Sequence, residues 1–147
     1  MTKESILESI ENIKQTHRLN LKYIDFCIKG LPLKERPIAL HHTECSVHQW
    51  INGEEVALIK GLQDDILREI TLLHEQWHEE YAKIYAIHYP EGKKKGLLGK
   101  LFKKKKELTP MELEKAKAYY NDLQNTSALL IKKLDSLIRR VNANNFG

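Results

Sequence analysis

Residues 109–141 read TPMELEKAKAYYNDLQNTSALLIKKLDSLIRRV, and this stretch decides the fold class. Thr109 is an N-cap residue, Pro110 fills the first helical position where its missing N–H is no loss, and Glu112 stands three residues after the cap. Together they form a capping box. Leu113, Ala116, Tyr120, Leu123, Ser127, Leu130, Leu134, Leu137 and Val141 follow in steps of three and four. That period marks one face of a long helix, the seam of a bundle or coiled coil, and it needs other helices to cover it.

Working back along the chain, Ile59, Leu62, Ile66, Ile70, Leu73, Trp77 and Ile84 keep the same period. They predict a helix from near Glu54 to about Tyr89, ended by Pro90-Glu91-Gly92. A neighbouring stripe of Leu67, His74, His78, Tyr81 and Tyr85 is partly apolar, so this helix packs against more than one neighbour. The first helix carries Ile6, Ile10, Ile13, His17, Leu21, Ile24 and Ile28 and stops before Gly30-Leu31-Pro32. A loop with Pro32 and Pro37 leads to a short segment from about Ile38 to Asn52, and Asn52-Gly53 reads as a break. Three helices of roughly 27 to 36 residues, each about 40–50 Å long, and one short helix predict an all-α, four-helix-bundle-like domain. No strand run or internal repeat is visible.

The 147 residues allow one domain and exclude a two-domain enzyme. Within it we expect a motif-bearing part over about 10–90, a lysine-rich connection at 91–107 and a C-terminal helix at 109–142. Hydrophobic residues at 41% and charged residues at 30% are enough for a core and too apolar for a disordered chain. The net charge of +4 is local. Eight lysines and two glutamates between Glu91 and Glu107 leave the rest of the chain slightly acidic, so nucleic acid is not an expected partner. Two cysteines do not make a disulfide framework, and the start MTKESILESI has no signal-peptide pattern. The expected location is the reducing cytoplasm, with no membrane-spanning segment.

Seven histidines are the unusual count. His17 falls on the apolar face of the first helix, where by itself it reads as a core histidine. His74 and His78, four apart, project from one face of one helix a turn apart, which lets two imidazoles bind one tetrahedral metal. Cys45, in ECSVHQWI, is a fourth candidate, and a thiolate with imidazoles favours zinc. One His from the first helix, one Cys from the short helix and two His from the next would tie three elements together.

These residues resemble a known family. His17 is followed by Leu19 two positions on, then after 25 residues by Cys45-Ser46-Val47-His48-Gln49-Trp50, then after 23 residues by His74-Glu75-Gln76-Trp77-His78. The pattern is similar to that of the CZB (chemoreceptor zinc-binding) domain: His-x-apolar, Cys-x-apolar-Gly-x-aromatic, and His-x-x-x-His. His48 occupies the position of the family's usual glycine, which opens the reading of an additional or substitute ligand beside that of an edge histidine, the one we adopt. The resemblance implies zinc on His17, Cys45, His74 and His78, with Trp50 packed beneath the site rather than binding metal, and His42, three residues before Cys45, is read as a supporting or structural residue and not as a ligand. His41 and His88 have no assigned role and are read as solvent-exposed. Cys27, far along the helix from His17, is read as a buried or half-buried thiol.

His74-Glu75-Gln76-Trp77-His78 also satisfies H-E-x-x-H, the zinc protease string with Glu75 as general base. No H-x-x-G-x-x-H extension follows, since Glu79 to Lys83 contains neither Gly nor His. Four protein ligands would also leave no place for water. A non-enzyme is expected. Family members serve bacterial chemotaxis receptors and diguanylate cyclases as sensors of zinc and of oxidants, so the resemblance implies a sensory or regulatory protein. Its output would act in trans, on a signalling protein or through a homodimer. The alternative is a static zinc-stapled interaction module. Within 93–106, Leu97, Leu98, Leu101 and Phe102 flanked by lysines have the pattern of a membrane-surface element. The brackets of Gly92, Gly96 and Gly99 favour a solvated connection instead.

Overall fold

A computed structural model describes residues 2–30, 38–90 and 107–144, the side chain of Leu62 apart. The loop with Pro32 and Pro37 and the lysine-rich segment, with its membrane-surface pattern, lie outside the described residues except for Glu107. All regular structure among the described residues is helical, as expected, and no strand occurs among them.

Helix α1 spans Lys3–Ile28. It starts earlier than the apolar pattern shows, because Thr2 and Ser5 cap each other: each backbone N–H donates to the other's hydroxyl at 3.1 Å. It ends at Lys29 and Gly30, and Gly30 has a φ of +89°, a left-handed conformation that suits a residue without Cβ. A 3₁₀ turn at His42–Glu44 leads to α2, Ser46–Ile51. Helix α3 spans Glu54–His88 and α4 spans Pro110–Ala143, with the expected Thr109–Glu112 capping box in place. One feature of α3 was not expected: Gln63 leaves helical geometry (φ −127°, ψ 22°), a kink within an unbroken apolar stripe.

Side-chain bonds fix the directions. Lys3 reaches the carbonyl of Asn142, and the Tyr120 hydroxyl donates to the Leu21 carbonyl, so α4 runs antiparallel to α1. Arg140 meets Asp65 at 2.8 Å and Trp77 meets Ser127, so α4 is antiparallel to α3 as well. Helices α1 and α3 are therefore parallel. The connection between them has to return along the molecule, and Cys45 and α2 lie in that return passage.

The predicted seam of α4 is buried from Ala116 through Leu123, Leu130, Leu134 and Leu137 to Val141, each 0% exposed. Leu113 and Tyr120 at its start are half-buried. The apolar core divides into two clusters. One gathers Ile6, Ile10, Ile13, Ile59, Ile66, Ile70 and the second half of the α4 seam. The other gathers Ile24, Ile28, Trp77, Tyr81, Ile84, Ala116 and Leu123. Between them, in chain order on each helix, stand His17, His74, and Thr126 and Ser127, with His78 next to Trp77 of the second cluster.

Truncating a seam residue tests this arrangement. Leu134→Ala is expected to lower unfolding free energy by about 2–5 kcal/mol in urea denaturation, and Leu129→Ala, on the exposed face, by less than about 0.5 kcal/mol.

Candidate metal centre

Four donor groups gather where the two clusters meet. His17 comes from the middle of α1, Cys45 from the residue that precedes α2, and His74 and His78 from consecutive turns of α3. One donor atom from each lies within 4.8 Å of all the others. The three histidines are 1%, 1% and 2% exposed and Cys45 is 9% exposed. His74 Nε2 and His78 Nε2 are 3.1 Å apart, and Cys45 Sγ is 4.0 Å from His17 Nε2.

Zinc bonds of about 2.0–2.1 Å to nitrogen and 2.3 Å to sulfur put the donors of a tetrahedral ion about 3.3–3.6 Å apart. The observed separations bracket that range, and a nitrogen-rich set with one sulfur is chemistry that zinc accepts. The residues present fit the ion.

The orientation of His78 is fixed by its other nitrogen, which donates to the carbonyl of Ala39 at 2.8 Å. A carbonyl can only accept, so Nδ1 carries the proton and the Nε2 lone pair faces the site. His17 is held differently. Its ring stands edge-on to His74 and to the Trp77 indole, with centroids 5.3 and 4.8 Å away. Its buried Nδ1 has no hydrogen-bond partner among the described residues.

One expectation needs correction, that for His88, and one indole at the site was not foreseen. The indole packed against the site is Trp77, whose ring lies 4.8 Å from His17 and 4.9 Å from His78. Trp50 packs against the cluster that includes the donor Cys45, with its N–H on Glu55 at 3.0 Å. Glu55 also accepts from Ser9 at 2.7 Å and Ser5 at 3.3 Å, so one carboxylate joins α1, α2 and α3. His88 is not exposed; it is 1% exposed, with Nδ1 donating to the Ile84 carbonyl at 3.0 Å. The α3 stripe continues past Ile84 against the end of α1, where His88 shares a small cleft with Ile24 and Cys27. Cys27 is buried, as read, and His41 is exposed. Glu75 is half-buried and is not one of the converging groups.

Burial dominates the electrostatics. It holds His74 down at about 2, with a smaller contribution from His17 and His78. His17 is pushed down to about 3 by burial and then by His78. His78 falls to about 4, where burial outweighs the Ala39 carbonyl that favours its charged form. All three are thus neutral at neutral pH, the form in which an imidazole donates a lone pair. Burial raises the Cys45 thiol above its ordinary value, a tendency that a bound cation would reverse.

Compared with known proteins, the chain matches no family model, no curated protein and no solved structure.

The lowered values set a pH dependence. Unfolded histidine takes up a proton near pH 6.5, whereas the folded imidazoles do so only at about 4, 3 and 2. The unfolded state therefore binds more protons as pH falls below about 6.5, and stability declines by a little over 1 kcal/mol per unit per histidine. In the presence of a chelator, urea unfolding should show about 3–4 kcal/mol less stability at pH 5.5 than at pH 7.5. A flat profile over that interval would show that the three imidazoles are not buried neutral.

Proposed function

We propose that this chain is a zinc-binding regulatory protein of the chemoreceptor zinc-binding kind on a four-helix-bundle-like frame, and not an enzyme. The observation that carries the reading is the convergence of four buried donor atoms, from three separate segments, within 4.8 Å. Zinc held there would supply a cross-link between α1, the return passage and α3, and a deprotonated thiolate at Cys45. Four protein donors complete a tetrahedral site, which leaves no position for the water that hydrolysis needs.

The residues themselves support a response to conditions. The Cys45 side chain makes no cap hydrogen bond at the start of α2. It is also the most exposed of the four donors. Oxidation of its sulfur would remove one ligand and release the return passage from α1 and α3. The signal is a shift between a clamped and a loosened arrangement, passed to a partner protein or a second copy of the chain. The proposed setting is the cytoplasm; no helix among the described residues is long and apolar enough to cross a membrane.

The purified protein is expected to hold one zinc per chain. Competition with a chromophoric chelator should show Cys45→Ala and His78→Ala each weakening affinity by more than the roughly 10–100-fold that loss of a partner behind a ligand costs. Hydrogen peroxide should release zinc from the wild type. A protein without stoichiometric zinc and indifferent to His78→Ala overturns the reading, and a site that neither exchanges nor oxidises reduces it to a static staple. Turnover of a peptide substrate lost on Glu75→Gln would establish a protease instead.

A further inference from the structure

Three histidines lie outside the buried group but beside it. His42 is in the 3₁₀ turn, His48 in the first turns of α2, and His41 just before the turn. His42 and His48 are half-buried, and the His42 ring stands 6.3 Å from that of His74, which is 1% exposed. They form a step between solvent and the buried donors.

The separation of the two rings leaves room for shared coordination. Two imidazoles on one tetrahedral zinc have ring centroids about 5.2 Å apart, given bonds of about 2.0–2.1 Å. His42 and His48 are 5.5 Å apart with planes at 67°. The three buried histidines span 4.6 to 6.1 Å, with planes at 76–90°. The outer pair therefore repeats the spacing of the inner set. His41 differs in orientation: its ring is tilted by only 30° to that of His42, and its Nδ1 is engaged by the Thr43 N–H and hydroxyl. No hydrogen bond competes strongly for the pair among the described residues. The contact of His48 Nε2 with the Asn52 amide, at 3.5 Å, is at the limit of a hydrogen bond.

We propose that His42 and His48 form a second, solvent-facing zinc site through which the buried centre is loaded. The inference rests on the reading of the inner four residues as a zinc centre. An ion held by the outer pair keeps water in its remaining positions. It moves inward by ligand exchange, the bond to His42 breaking as a bond to His74 Nε2 forms, with no change of oxidation state. His48 takes part because α2 turns it toward His42, so the residue at this position supplies a ligand as well as a helical link.

The test is a Zn²⁺ titration of the chelator-stripped full-length protein, followed by stopped-flow loading with a chromophoric zinc indicator. The wild type should bind two zinc ions in two affinity classes. His42→Gln/His48→Gln should keep the tight class, lose the weak one, and load roughly tenfold more slowly, the scale on which partners around a metal site act. His41→Gln, a control on the same rim, should load at the wild-type rate. Helical circular dichroism confirms that each variant is folded, and His42→Asn/His48→Asn serves if the glutamine pair is not. A wild type with a single zinc, or a folded double variant that loads at the wild-type rate, overturns the proposal. Loss of the tight class from the wild type itself counts against the inner centre, which keeps the two failures apart.

Discussion

Three imidazoles and a thiol are taken out of water in the middle of this molecule, and the rest of the structure is arranged around that desolvation. A buried polar group without a partner costs stability, and four of them gathered in one place would be a serious defect in an apolar core. The chain answers by keeping the imidazoles neutral and stacking them edge-on with each other and with Trp77. It also turns their nitrogens toward a common centre. The arrangement makes physical sense as a set of ligands, since a cation at that centre would give all four donors a bond to one ion.

The polar layer extends across α4. Trp77, packed on His17 and His78, donates to Ser127 at 2.6 Å. On the neighbouring face of α3, Glu80 accepts from Thr126 at 2.7 Å and from Gln76 at 2.8 Å. Serine and threonine interrupt the leucines of the α4 seam at the height where α3 presents an indole N–H and a carboxylate. Lys14, a few residues before His17, reaches Asp135 on α4 at 2.5 Å, and this ion pair raises its pKa despite burial. Hydrogen bonds and an ion pair thus link the level of the donor groups to α4.

Much of this was legible in the chain. The three-four spacing from Leu113 to Val141 named the residues that are buried, and the capping box at Thr109 placed the start of α4 to the residue. The four donor residues were found from types and spacing, because two of them share a helix and a third interrupts an apolar stripe where a charge would be intolerable. Other features carried no local signal. The Gln63 kink sits in an unbroken apolar pattern, and a period counts positions without recording a local change in backbone angle. The Glu55 junction joins residues about 50 apart in sequence, so no window contains it. Trp50 and Trp77 were both aromatic neighbours of ligands in sequence, and only their partners in space assigned them different tasks. His88 looked like a surface histidine at a helix end, yet the end of α1 covers it.

By itself, then, the order of residues determined an all-helical chain, the buried face of each long helix, and which four His and Cys side chains come together as candidate ligands. These follow from local periodicity and side-chain type, which a linear pattern records completely. Tertiary structure decided the rest: that α1 and α3 run parallel, so that the connection must pass back beside the site and deliver Cys45 to its histidines. It also decided that Trp77 backs the centre, and that His42 and His48 face each other at its rim. Those are relations between segments far apart in the chain. Their distances are set by how three long helices pack, a balance of buried area and satisfied polar groups that no single stretch of sequence contains.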